Sequence, residues 1–147
     1  MSNPALAASL ADLDSAVKRL HEETDTLNVL IQEIEGSLVA MNPGIALWLP
    51  KPILVYGVNG PSGFGTQLGF VKPKDQWCLS LRRGAFLKSD KDWTPVTKQE
   101  WKVFPVLEGT RDERVAAVSE FRALVEAMTA EAEVRVKALQ AAKQRAR

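Results

Sequence analysis

The chain has 147 residues, with 19 basic and 18 acidic side chains and a formal net charge of +1 at neutral pH. That length supports one domain with a substantial core. The balance of charge excludes a global field that would draw in nucleic acid or an anionic membrane, and the single cysteine, Cys78, excludes an intrachain disulfide and fits a reducing, cytoplasmic setting.

The charge is unevenly spread. Residues 1–43 carry two basic and seven acidic groups, residues 44–110 nine basic and five acidic, and residues 111–147 eight basic and six acidic. Opposite signs on the first and later segments favour their mutual packing, or a head-to-tail contact between chains. The first ten residues lack the basic region and continuous apolar run of a secretory leader. The longest apolar runs, Ile45–Leu49 and Ile53–Tyr56, are too short to span a bilayer. No membrane partner is expected.

The strongest pattern comes first. Leu10, Val17, Thr24, Ile31 and Leu38 take the a positions of a heptad repeat, and Leu6, Leu13, Leu20, Leu27, Ile34 and Met41 take the d positions. A helix with that spacing presents a narrow apolar stripe that another helix must cover. Ser2 or Asn3 can cap it, Pro4 fits its first turn, and Asn42-Pro43-Gly44 ends it. About 38 residues make a rod of roughly 57 Å. Thr24 places a hydroxyl in the stripe, and Gly36 weakens the helix interior. The flanking positions (Ala7, Asp14, His21, Asn28 and Glu35 on one side, Ser9, Ala16, Glu23, Leu30 and Ser37 on the other) hold no ladder of opposite charges. A mixed bundle, within the chain or between chains, fits better than a lone parallel zipper.

Residues 44–109 change character, holding all four Trp and most of the Gly and Pro. Short β-rich runs at Ile45–Leu49, Ile53–Val58, Thr66–Lys72, Gln76–Arg82 and Trp101–Leu107 predict an antiparallel sheet of three to five strands. Lys72 to Gln76 reads as a hairpin loop. Beyond it, Trp77, Leu79 and Leu81 alternate with Cys78, Ser80 and Arg82, which predicts one apolar and one polar face. The glycine-rich stretch from Asn59 to Gly65 reads as a flexible loop with Phe64 at its tip, and Ser89 to Asp92 as a turn.

Thr110 and Glu113 form a capping-box signature for a last helix within residues 110–147. Its apolar face comprises Val115, Val118, Phe121, Leu124, Val125, Met128, Ala132, Val136 and Leu139, thinning toward a basic end. The expected fold is α+β: a long heptad helix over 1–43, a Trp-rich sheet forming a head over 44–109, and a long C-terminal helix returning antiparallel along the first.

No catalytic constellation is present. His21 is the only histidine and has no partner ligands in sequence, so a surface role is preferred to a metal site. Cys78 has no base near it in sequence. The stretch Gly57 to Thr66 imitates a phosphate loop but lacks the lysine and the following helix. The pairs Glu22/Glu23 and Asp90/Asp92 read as solvated charges. No metal or cofactor is expected.

The expected function is therefore non-enzymatic assembly through a seam of Leu6, Leu10, Leu13, Val17, Leu20, Leu27, Ile31, Ile34 and Leu38, with a second copy or a helical protein as partner. The head would present the binding surface, with Phe64, Lys72, Lys74, Arg82, Arg83, Lys88 and Trp93 as candidates. The same basic, aromatic-rich set supports an alternative, binding of single-stranded nucleic acid.

Overall fold

The described residues form two long helices and one antiparallel sheet. The computed structural model describes residues 3–147. Helix α1 spans Pro4–Met41; Asn3 caps it, its Oδ1 accepting from the Ala5 and Leu6 amides at 3.0 and 3.2 Å. Ser2, the other candidate cap, lies outside the described residues. Asn42 ends the helix in the left-handed region (φ 48°, ψ 60°), its N–H donating to the Val39 carbonyl, a conformation asparagine tolerates better than most residues.

Six strands follow: β1 (Leu47–Trp48), β2 (Leu54–Asn59), β3 (Ser62–Val71), β4 (Cys78–Ser89), β5 (Asp92–Pro95) and β6 (Lys102–Pro105). The sheet is built on the β3–β4 hairpin, which pairs without a break from Ser62↔Leu87 to Val71↔Cys78. Short strands line its two sides. β1 and β2 share the outer edge of β3, and β5 and β6 share that of β4. Between β5 and β6, the Gln99 side chain replaces a strand: its amide accepts from the Ala85 N–H at 2.7 Å and donates to the Ala85 carbonyl at 2.9 Å. A 3₁₀ turn at Val106–Glu108 then leads to helix α2, Arg111–Arg145. The α+β class and the inserted antiparallel sheet are as the sequence predicts.

The expected loop at 59–65 is largely strand. The turn contracts to Gly60 and Pro61, with Gly60 at φ +60°, and Ser62 to Gly65 already pair with β4. The glycines serve clearance, not flexibility. A Cβ on Gly69 would lie 2.5 Å from the Trp48 ring, and one on Gly84 would lie 2.5 Å from the Trp101 ring. Gly65 is likewise covered by Phe86. Aromatic rings thus pack directly against the sheet backbone where it carries no side chains.

Both faces of the sheet are consequently covered. Leu68, Phe70, Leu79 and Leu81 are fully buried on the inner face, with Ile31 and Leu38 of α1 and Phe121, Leu124 and Met128 of α2 in the same core. Trp77 stacks on Phe70 at 5.3 Å on that side. The opposite face was expected to be polar and wet, yet Ser80 and Gln67 are buried there beneath the tryptophans.

The helix direction differs from expectation. Arg111 Nε donates to Thr24 Oγ1 at 3.1 Å, Arg114 Nη1 to Asn28 Oδ1 at 2.6 Å, and Arg135 Nη1 to the Gly44 carbonyl at 3.4 Å. Contacting residues advance together along both helices, so α1 and α2 are parallel and staggered, not antiparallel. The physical reason lies in the sheet. It flanks the second half of α1 instead of capping its end, and Glu35 of α1 accepts from the Leu79 amide at 2.9 Å. The strands and the 3₁₀ turn return the chain to the level of Thr24, from which α2 runs the same way as α1.

Two glycine substitutions test this account in opposite directions. Gly36 is exposed in α1 with nothing within 4 Å of an added Cβ. Gly36→Ala is expected to stabilise the protein by about 1 kcal/mol. Gly69→Ala is expected to destabilise it by about 1–3 kcal/mol through overpacking against Trp48. Denaturant melts of the two variants read both signs.

Candidate functional site

The heptad seam divides in two. Ile31 and Leu38 are buried, and Leu27 and Ile34 pack against the core. The other half is bare: Leu6, Leu10 and Leu13 are 56–58% exposed, Leu20 42% and Val17 36%. Every residue from Asn3 to Glu23 is exposed, so α1 begins as a free arm of roughly 30 Å. Thr24 marks the boundary. Its hydroxyl donates to the Leu20 carbonyl and accepts from Arg111, so the polar break in the seam falls where α2 begins. Helix α2 is the mirror case. Its stripe is buried at Phe121, Leu124 and Met128, then continues into exposed Val136 and Leu139. The stagger that lets half of each helix dock leaves the opposite half of each uncovered.

The candidate residues of the sheet do not form one surface. Arg82 lies on the outer face, its guanidinium 4.6 Å from the Trp48 ring and 4.1 Å from the Trp101 ring, with Nε donating to Gln67 Oε1 at 2.7 Å. Burial lowers its pKa. Lys88 approaches the Trp93 ring at 5.9 Å on the same face. Arg83 points the other way, toward the helices. Lys72 ends near the hairpin loop, paired with Asp75 at 3.6 Å, and Lys74 lies exposed in that loop. Phe64 is not at a loop tip. It sits in β3, 55% exposed, stacked on Tyr56 at 6.3 Å.

Arg83 belongs to a buried ionic cluster that the sequence pattern did not single out. Its Nε donates to Glu113 Oε2 at 2.9 Å and its Nη2 to Oε1. Thr66 of β3 donates to Oε2 at 2.8 Å, and the Thr110 amide donates to Oε1 at 2.9 Å. The predicted capping box is present, and its glutamate also joins α2 to β3 and β4. Arg83 stacks on Phe104 at 4.3 Å as well. Burial acts to raise the Glu113 pKa, but the donors from Arg83, Thr110 and Thr66 outweigh it and hold the carboxyl at about 2. The only sequence signal was the capping spacing, which gave the glutamate a local role and said nothing of Arg83.

Above the cluster opens a groove of about 620 Å³ between β2 and the start of α2, walled by Leu54, Tyr56, Val115 and Ala116, with Arg83 and Glu113 at its floor. Its apolar rim continues onto Phe64 and Leu87, which share a face of the hairpin and are half exposed. Cys78 offers no activated thiol. Burial pushes it up to about 11, with Glu35 adding and the Ser80 hydroxyl opposing. His21 is exposed on the free arm of α1. Among the described residues no helix is long and apolar enough to cross a membrane. Comparisons with protein-family models, curated proteins and solved structures find no match to this chain.

The cluster makes stability fall in acid. The Glu113 pKa is depressed in the folded state, so its contribution is complete above the ordinary value of 4.5 and is lost as pH drops toward about 2. A shift of that size corresponds to about 3 kcal/mol. Thermal melts across this window should show the loss, and Glu113→Gln should flatten it. Arg83→Met should cost more than Glu113→Gln, about 3–5 kcal/mol. It strands a carboxylate that is 3% exposed, whereas the arginine side chain, 29% exposed, can rehydrate.

Proposed function

We propose that this protein is a non-enzymatic assembly protein. Its helices associate with further helices, and its sheet is presented as a binding head. The single observation that carries this reading is the bare half of the α1 seam, Leu6, Leu10, Leu13, Val17 and Leu20, set on an unsupported arm. A contiguous apolar patch on an exposed element marks an interaction site, and heptad spacing specifies a helical partner. On the head, the groove and its Tyr56–Phe64 rim make a better binding surface than the cations first considered, because those cations are split between two faces and several are already engaged. That division also weighs against nucleic acid, which needs cations and stacking rings along one track.

Light scattering on a sizing column at several concentrations tests the reading. The wild-type chain should exceed its 16.2 kDa mass. The variant Leu10→Asp/Val17→Asp should run as a folded monomer, since neither residue touches the core. A wild-type chain that stays monomeric throughout would sink the proposal. Leu27 is unsuitable for this test because it packs against the core.

A further inference from the structure

The two uncovered half-stripes are complementary in charge as well as in position. Along the exposed α1 arm, Asn3 to Glu23, the acids Asp12, Asp14, Glu22 and Glu23 outnumber the cations Lys18 and Arg19 by four to two. From Val136 onward the α2 tail bears Lys137, Lys143, Arg145 and Arg147 and no acid. Within one chain, α1 and α2 already pack in parallel from the Thr24–Arg111 contact onward. Beside the arm, N-terminal to Arg111, the place a second helix would occupy is vacant.

We propose that the occupant of the arm is the α2 tail of a second copy, joined head to tail. This rests on the assembly reading above and specifies its partner. The incoming tail runs parallel to the arm, as α2 runs parallel to α1 within the chain, and extends the same two-helix ribbon. Val136 and Leu139 cover the seam at Leu10 and Leu13, which sets Lys137 beside Asp12 and Asp14 and the end of the tail toward Glu22 and Glu23. The rival arrangement, arm on arm about a two-fold axis, joins two segments of the same net charge, −2 each. It also leaves the exposed Val136 and Leu139 bare. Lys18 and Arg19 lie between the two acidic pairs of the arm, and Lys18 and Asp14 form an exposed ion pair at 3.0 Å that a tail cation joins. A contact between unlike surfaces does not close on itself in a pair, so it propagates into a ring or an open chain.

Complementation of two blocked full-length variants tests this. Leu10→Asp/Val17→Asp disables the arm, and Val136→Asp/Leu139→Asp disables the tail; circular dichroism checks that both remain folded. Head-to-tail joining predicts that each variant alone is monomeric and that an equimolar mixture forms a two-chain complex of about twice 16.2 kDa, weakening as salt rises. If the tail variant keeps the wild-type mass, or the mixture forms no complex, this inference is overturned and the general assembly reading stands. If the wild-type chain is itself monomeric, both fall. A charge-only variant, Lys137→Glu/Lys143→Glu/Arg145→Glu, gives an independent readout: it should lose self-association and regain a complex with Asp12→Lys/Asp14→Lys. Unchanged wild-type mass in the tail charge variant counts against the pairing.

Discussion

The Glu113 carboxylate is the point at which the separate parts of this fold become one. It closes the first turn of α2 through Thr110, accepts from Thr66 on β3 and binds Arg83 on β4. A buried carboxylate is costly unless its acceptor sites are filled, so its four donors must arrive together. That requirement fixes where α2 begins relative to the central hairpin. The direction of α2 and its stagger against α1 follow from that starting point. The same cluster lines the groove, so the groove's walls on β2 and α2 are tied together by the buried ionic contact beneath them.

A second constraint comes from residues with no side chain. The sheet carries two layers of packing because Gly65, Gly69 and Gly84 let Phe86, Trp48 and Trp101 lie against the backbone. This explains why the chain also places Trp48 and Trp101 on the outer face. There they bury Gln67 and Ser80 and hold Arg82 between two indoles. Glycines in a sequence usually signal freedom of the backbone. Here most of those in the sheet signal nearness of a ring, and only Gly57 and Gly60 supply positive φ.

Much of this was legible and some of it was not, for identifiable reasons. Helix α1 was readable to within a residue because its period, cap and stop agree, and the capping box placed the start of α2 correctly. The five β-rich runs all contain strands, but Ser62 to Gly65, the second half of β4 and all of β5 were missed. Glycine suppresses the strand pattern, and Arg82 to Gly84 break the alternation. Helix direction was not legible, because a stripe says that something covers it and not from which end. Nor was the Arg83–Glu113 pair, whose partners lie 30 positions apart and show no local signature. Among the candidate surface residues, Arg82, Arg83 and Trp93 have partners within the fold, which no local pattern announces.

The free arm also bears on the energetics of the proposed assembly. A helix of some twenty residues is marginal in water when isolated, because its nucleation is costly. The arm of α1 needs no nucleation of its own. It is the continuation of a helix whose second half is fixed by Ile31, Leu38 and the Glu35–Leu79 bond. The arm is therefore presented already helical, with Asn3 capping its end. An incoming helix meets an ordered stripe and does not have to order it, which removes much of the entropic cost of association. The polar break at Thr24 marks where in-chain cover of the seam stops, and under the proposed assembly the partner helix takes over from that point.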